Sequence, residues 1–269
     1  MNALLRTRAV EKPWGIVALP PPFTAPNGKR IGEIWFEPPP ELPQLLVKYI
    51  FTSEALSVQV HPSDAQTEAA GLGRRGKEEC WTIVHAEPGA RLGIGFTRPV
   101  STEQIRAAAL DGSIERLMRW YPVAPGDFFY IPANTVHAIG AGIGLIEVQQ
   151  NSDLTYRLYD YGRPRALHLD DGMRVASGEP YDERCRVELP ATGAVELVRG
   201  PKFRLSRLSG APDAQLAARY RGPLLVIPLD EPLRVDGVRI DPGGCGLAPQ
   251  IASIEATEAS AWLAAHPCL

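Results

Sequence analysis

The chain has 269 residues, 45% of them hydrophobic, and a formal net charge of −3. That length allows a large core, built as one big domain or two smaller ones, and the faintly acidic balance argues against nucleic acid as the main partner while leaving room for a local basic pocket. No apolar run of about 18 residues reads as a membrane span, the opening residues lack the apolar core of a signal peptide, and Cys80, Cys185, Cys245 and Cys268 form neither a CxxC pair nor a disulfide framework; the expectation is a reduced, cytoplasmic protein.

Proline and glycine, 26 and 25 residues, punctuate the chain and break any long helix. Between the breaks lie short β-rich runs at 45–51, 56–60, 80–84, 127–131, 144–150 and 155–159, the pattern of a sandwich or barrel. Residues 64–70 read as a short helix. A second helix is expected from 102 to about 120, interrupted near Asp111-Gly112, with Ser101 and Gln104 as its N-terminal cap and Ser113 capping its second half. Residues 170–173 and 177–180 read as connecting segment. Beyond them come strands near 194–198, 203–208, 224–228 and 233–240. The run Pro242-Gly243-Gly244 to Pro249 resembles Pro125-Gly126-Asp127 to Pro132, which points to a degenerate second copy of the same β unit. The expected organisation is a metal-binding catalytic domain over 1–175 and a smaller β-domain without metal ligands over 176–269.

Four polar residues on these runs carry the chemistry. Gln59 and His61 are two apart on a strand and so face the same side. Glu79 opens the strand at 80–84, and His137 follows the 127–131 strand. Two imidazoles, one carboxylate and one amide carbonyl suit a divalent transition metal, most often zinc. Each alone has an ordinary explanation: a hydrogen-bonded core histidine, a satisfied buried amide, a surface carboxylate. Together they converge. Strand alternation turns Glu78 away from Glu79. Lys77 shares the Glu79 face. Arg157, on an apolar strand, needs an anionic partner if it faces inward. Glu147 and Asp153 are candidate acid/base carboxylates, with rim or turn positions as their plain alternative.

The spacing Gly126-x5-Pro132-x-Asn134-x2-His137 is similar to the jelly-roll metal motif of the cupins, with Asn134 where glycine is usual; Asn tolerates a left-handed backbone better than most residues. Within that superfamily the chain resembles the type I phosphomannose isomerases. The resemblance rests on Lys12-Pro13-Trp14-Gly15, Ile31-Gly32-Glu33-Ile34-Trp35, Ser57-Val58-Gln59-Val60-His61-Pro62, Gly76-Lys77-x-Glu79-Cys80-Trp81, Pro132-Ala133-Asn134-Thr135-Val136-His137 and Gln150-Asn151-Ser152-Asp153 through Asp160. It implies a mainly β protein: a cupin jelly roll with a short helical insertion and a second, degenerate C-terminal β-domain. It implies one Zn2+ per chain on Gln59, His61, Glu79 and His137, with Lys77 and Arg157 in the substrate cleft. The implied activity interconverts mannose 6-phosphate and fructose 6-phosphate through a cis-enediol. The partner is then a small sugar phosphate, with no nucleic acid or membrane, in a monomer or homodimer. A non-catalytic sugar-binding cupin and a cupin isomerase for another sugar are the alternatives.

Overall fold

The frequent breaks leave only short extended runs, and these find their hydrogen bonds in antiparallel partners. The computed structural model describes residues 3–26, 28–190 and 192–268. Its first part contains β1 (Thr7–Ile16), β2 (Ile31–Phe36), β3 (Leu45–Phe51), β4 (Val58–Val60), α1 (Asp64–Ala69), β5 (Glu79–Ala86) and β6 (Arg91–Phe96). There follow α2 (Thr102–Asp111), α3 (Ile114–Leu117), β7 (Met118–Pro122), β8 (Asp127–Ile131), β9 (His137–Ile139), β10 (Ile143–Gln150), β11 (Tyr156–Tyr159), α4 (Leu169–Val175) and β12 (Arg186–Glu188). The last part holds β13 (Val195–Arg199), β14 (Phe203–Ser209), α5 (Ala214–Ala217), β15 (Leu224–Pro228), β16 (Leu233–Val235), β17 (Val238–Ile240), β18 (Gly246–Ala248), β19 (Ile254–Glu255) and β20 (Ala261–Pro267).

A seven-stranded sheet, β1-β2-β3-β10-β5-β8-β12, faces a five-stranded sheet, β11-β4-β9-β6-β7. Trp81, Ile83, Phe129 and Leu145 of the first meet Leu92, Ile94, Tyr121 and Ile139 of the second in one buried cluster. This is the jelly-roll interior, apolar at one end and polar at the other. The outer face of the five-stranded sheet, with Val58, Val60 and Leu158, is covered by Ile105, Ala108, Ile114 and Val175 of the helices. The outer face of the seven-stranded sheet packs Val47, Tyr49, Phe128 and Val148 against Phe203, Leu205, Leu225 and Leu263 of a third sheet, β13-β14-β20-β15-β18. The expected mainly β architecture, with its short helical insertion and second β unit, is what folds. No helix among the described residues is long and apolar enough to cross a membrane.

Several local expectations change. Ser101 and Gln104 form the predicted capping box, and Gly112 ends α2 with φ +79°. The second half of that helix is only Ile114–Leu117, because Met118 and Trp120 pair with β6 instead. Ser113 makes no side-chain cap; its backbone N–H donates to Asp111 Oδ1 at 2.8 Å. The stretch 170–173, expected as a connection, lies inside α4. Gly172 belongs there because a Cβ would stand 2.4 Å from Leu158 Cδ2, so only glycine lets this helix lie so close on β11. The strand pairing keeps residues up to Glu188 with the first unit, through β12 on β8. It also carries Ala3–Leu5 into the second, where Leu4 bridges Gly246 and Leu247 N donates to Ala3 O at 2.7 Å.

Candidate metal centre and cleft

Strand β4 divides its residues between two environments. Val58 and Val60 go down into the core under the helices, fully buried. Gln59 and His61 go up into the polar end of the jelly roll, as the period of two requires. Gln59 is paired with His137 of β9 on one side and Arg157 of β11 on the other. Across the interior, Glu79 of β5 completes the group. Ligand atoms of His61, Glu79 and His137 all lie within 4.8 Å of one another, and all three residues are buried.

The local contacts aim these groups. His61 Nδ1 lies 2.8 Å from Leu154 O, and His137 Nδ1 2.9 Å from Thr135 O. A carbonyl can only accept, so each Nδ1 carries the proton and each Nε2 turns a lone pair inward. His61 Nε2 is 3.5 Å from Glu79 Oε2 and His137 Nε2 3.3 Å from Glu79 Oε1. Lys77 Nζ sits 2.5 Å from Glu79 Oε2 and 3.1 Å from His61 Nε2. The ammonium–carboxylate contact lacks the direction of a hydrogen bond, and both Glu79 oxygens are buried without a hydrogen-bond partner among the described residues. Gln59 Nε2 is 3.2 Å from His137 Nε2. Trp81 stands edge-on to the His137 ring at 5.4 Å. Asn134 takes φ +73° in the turn before β9 and binds His61 O through its backbone N–H at 2.8 Å. Glu78 faces away, as alternation requires, and accepts from the Tyr130 hydroxyl.

Burial pushes the Glu79 carboxyl up, but Lys77, His61 and His137 outweigh it and hold it well below the usual carboxylate range. Burial, with Lys77 beside it, brings His61 down to about 4, and burial lowers His137 as well. For Lys77 burial acts downward, yet Glu79, Glu147 and Glu33 raise the ammonium above its ordinary value. At neutral pH the group is therefore two neutral imidazoles, one carboxylate and one ammonium. Two inward Nε2 lone pairs beside two buried carboxylate oxygens make a donor set that suits a divalent transition metal.

Above this group opens a cleft of about 580 Å³, lined among others by Gln59, Lys77, Glu147, Asp153 and Arg157. All of the sequence-expected residues thus meet in one place: three candidate ligands beneath the floor, Gln59 at the floor, and the four candidate catalytic groups on the walls. Glu147 is buried and accepts from Lys48 Nζ at 3.0 Å and Trp81 Nε1 at 3.2 Å. Asp153 is exposed at the rim and has no hydrogen bond or ion pair among the described residues. Arg157 donates from Nη1 to Ala166 O at 2.9 Å, while its Nε stands 3.9 Å from Asp160 Oδ2 without a hydrogen bond.

Sequence reasoning missed three contributors. Lys48, 5% exposed, bridges Glu147 and Gln149 and lies 4.6 Å from the Trp35 ring. Glu33 accepts from Trp35 Nε1 at 2.6 Å and pairs with Lys12 at 3.1 Å. Asp160, 2% exposed, gathers Arg163 and, bidentately, Arg165 as well as Arg157. A charged residue inside an apolar strand, as in Leu45-Leu46-Val47-Lys48-Tyr49-Ile50-Phe51, was the available signal for Lys48. His168 Nδ1 accepts from Arg157 N at 3.1 Å and so helps seat that strand.

Fold and site together define a jelly roll of cupin type with a candidate metal centre at the floor of a charged cleft. No family model matches the chain. It is 38% identical over 186 residues to a mannose-6-phosphate isomerase of Streptococcus mutans, covering 65% of this chain and 58% of that protein. It is 42% identical over 146 residues to a mannose-6-phosphate isomerase of Bacillus subtilis, covering 52% and 46%. The chain spans about half the length of these curated relatives. The crystal structure of the mannose 6-phosphate isomerase from Bacillus subtilis has the same fold, with a TM-score of 0.78 at 23% identity over 98% of this chain and 99% of that one. The chain is thus similar to mannose-6-phosphate isomerases, in sequence over as much as 65% of its length and in fold throughout.

Proposed function

We propose that this chain is a metal-dependent aldose–ketose isomerase that interconverts mannose 6-phosphate and fructose 6-phosphate through a cis-enediol. One zinc per chain would be held by Gln59, His61, Glu79 and His137. The observation that carries this reading is the inward convergence of two Nε2 atoms and two buried carboxylate oxygens that make no hydrogen bond among the described residues, beneath a cation-rich cleft. The names of the relatives supply the substrate.

When bound, the ion supplies a Lewis acid for the carbonyl and neighbouring hydroxyl oxygen of the sugar. The protein's own groups do the rest. The carbonyls of Leu154 and Thr135 fix the two imidazole tautomers. Gln59 offers its Oε1 to the centre once its amide is turned over, an exchange of two atoms of nearly equal size. Glu147 carries the proton between C1 and C2 on a carboxylate oxygen, steadied by Lys48 and Trp81. Lys77, beside Glu79, faces the negative charge that develops on the sugar oxygens. Arg157 meets the phosphate with a charge-assisted contact. Asp153 at the rim exchanges protons with solvent. A cleft of about 580 Å³ has room for a hexose phosphate.

The test is a coupled assay for fructose 6-phosphate formed from mannose 6-phosphate, with and without chelator, beside a metal analysis. Turnover that vanishes with chelator and returns with zinc is the expected result. A metal-loaded protein that binds the sugar without turning it over would be a non-catalytic cupin.

A further inference from the structure

The C-terminal unit supplies no residue to the cleft lining, which ends at Arg165. It nevertheless reaches, through Asp64, the segment of Lys77 that leads into β5 and Glu79. Lys202 stands at the turn between β13 and β14, and its carbonyl accepts from Cys268 N at 2.9 Å, which fixes the turn. Its Nζ lies 2.7 Å from Asp64 Oδ2. The other oxygen of the same carboxylate accepts from Gly76 N at 2.7 Å and Gln150 Nε2 at 2.9 Å. Gln150 Oε1 in turn accepts from Glu78 N at 3.0 Å, and Gln150 N donates to Glu78 O at 3.0 Å.

These bonds bind the two ligand-bearing segments into one block. Lys77 N donates to Pro62 O at 3.0 Å, directly after His61. At Gly76 a Cβ would lie 2.3 Å from Pro62 O, so backbone rests on backbone there. Two polar contacts therefore separate the Lys202 ammonium from the backbone just ahead of Lys77. Asp64 also opens α1, where an acidic residue favours the helix dipole in its own right. Its carboxylate is spent elsewhere, however: Ser63 caps the helix, and Asp64 turns its oxygens to Gly76, Gln150 and Lys202.

We infer that Lys202 is a positioning residue for the cleft, acting from the C-terminal unit through Asp64 to hold Gly76 and, with it, Lys77 and Glu79 in register with His61. The inference rests on the isomerase reading for its effect on turnover, but not for its effect on the metal. A misplacement of well under 1 Å at a reacting group already lowers a rate severalfold. The Lys202–Asp64 pair is partly exposed, so its loss moves global stability little.

The experiment compares wild type, Lys202→Ala, Lys202→Arg and Asp64→Ala as full-length, zinc-loaded proteins. In Lys202→Ala, kcat on mannose 6-phosphate should fall about 3- to 10-fold with KM changed less than about twofold, and the metal should leave at a severalfold lower chelator concentration. Its Tm should stay within about 4 °C of wild type. Lys202→Arg should restore both readouts. Asp64→Ala, which also frees Gly76 N, should lose more of each. Wild-type kcat and metal retention in Lys202→Ala overturns the inference, as does a loss that follows Tm and is not restored by arginine. A wild-type protein that does not turn over mannose 6-phosphate removes the isomerase reading alone; the chelator comparison still decides the role of Lys202.

Discussion

Replacing Glu79 by glutamine keeps the size of the side chain and removes its charge. Glu79 is fully buried, and the Lys77 ammonium 2.5 Å away is only 6% exposed. After the change that ammonium remains in the interior without its closest counter-charge. Stranding one member of a buried ion pair costs about 3–5 kcal/mol. At roughly 2–4 °C per kcal/mol for a chain of this size, the Tm should drop by about 6–20 °C. Glu78→Gln is the internal control. Its neighbour is a tyrosine hydroxyl, which an amide oxygen can still accept from, so the cost should stay below about 1 kcal/mol. Thermal unfolding in excess chelator isolates this term from metal binding, and a metal analysis after reloading reads the ligand role separately. A metal-free Glu79→Gln protein as stable as wild type, or a larger loss in Glu78→Gln, would show that the Lys77–Glu79 contact is not what the geometry indicates.

His137→Ala should fold and bind little zinc, measured by atomic absorption; full occupancy would remove it from the ligand set. Arg157→Ala should lower kcat/KM by about 10- to 100-fold, the worth of a charge-assisted contact of about 1.5–3 kcal/mol, with metal content unchanged; wild-type kinetics would refute the phosphate contact. Gly76→Ala should be strongly destabilised, because its methyl would meet the Pro62 carbonyl at 2.3 Å; a wild-type Tm would mean that the two segments can part freely. For Glu33, burial acts upward but Lys48 and Lys12 lower the carboxyl below its ordinary 4.5. A lowered folded value stabilises fully above 4.5 and is lost as pH falls below it. The stability advantage of wild type over Glu33→Gln should therefore shrink in acid, and an advantage unchanged from pH 7 to pH 3 would contradict this.

The meeting of His61, Glu79 and His137 was legible in the sequence because much of its logic is local. Gln59 and His61 share a face by the strand period, Glu79 and Glu78 are separated by it, and Asn134 announces a left-handed turn. What the sequence hid is whatever depends on register between distant strands. Lys48 meets Glu147 only because β3 pairs with β10 across 99 positions, and no local pattern encodes that meeting. Asp160 reads as a turn residue until three arginines fold back onto it. The helix at 169–175 was hidden by Asp-Asp-Gly, a good turn sequence that the close approach of Leu158 turns to another use. In the opposite direction, the apolar period through Met118 predicted helix where pairing with β6 imposed strand.

The exchange of end segments between the two units has a consequence for how such chains can be recombined. Ala3–Leu5 add to the sheet edge at Cys245–Leu247, and Arg186–Glu188 add to β8. A gene crossover placed between Glu188 and Val195 would leave Arg186–Glu188 on β8 but part Ala3–Leu5 from the sheet edge that receives them. A chimaera that takes its last third from a relative must therefore inherit the segment matching Ala3–Leu5 from the same parent. Residues 3–5 and 245–247 are tied together as a single unit of descent.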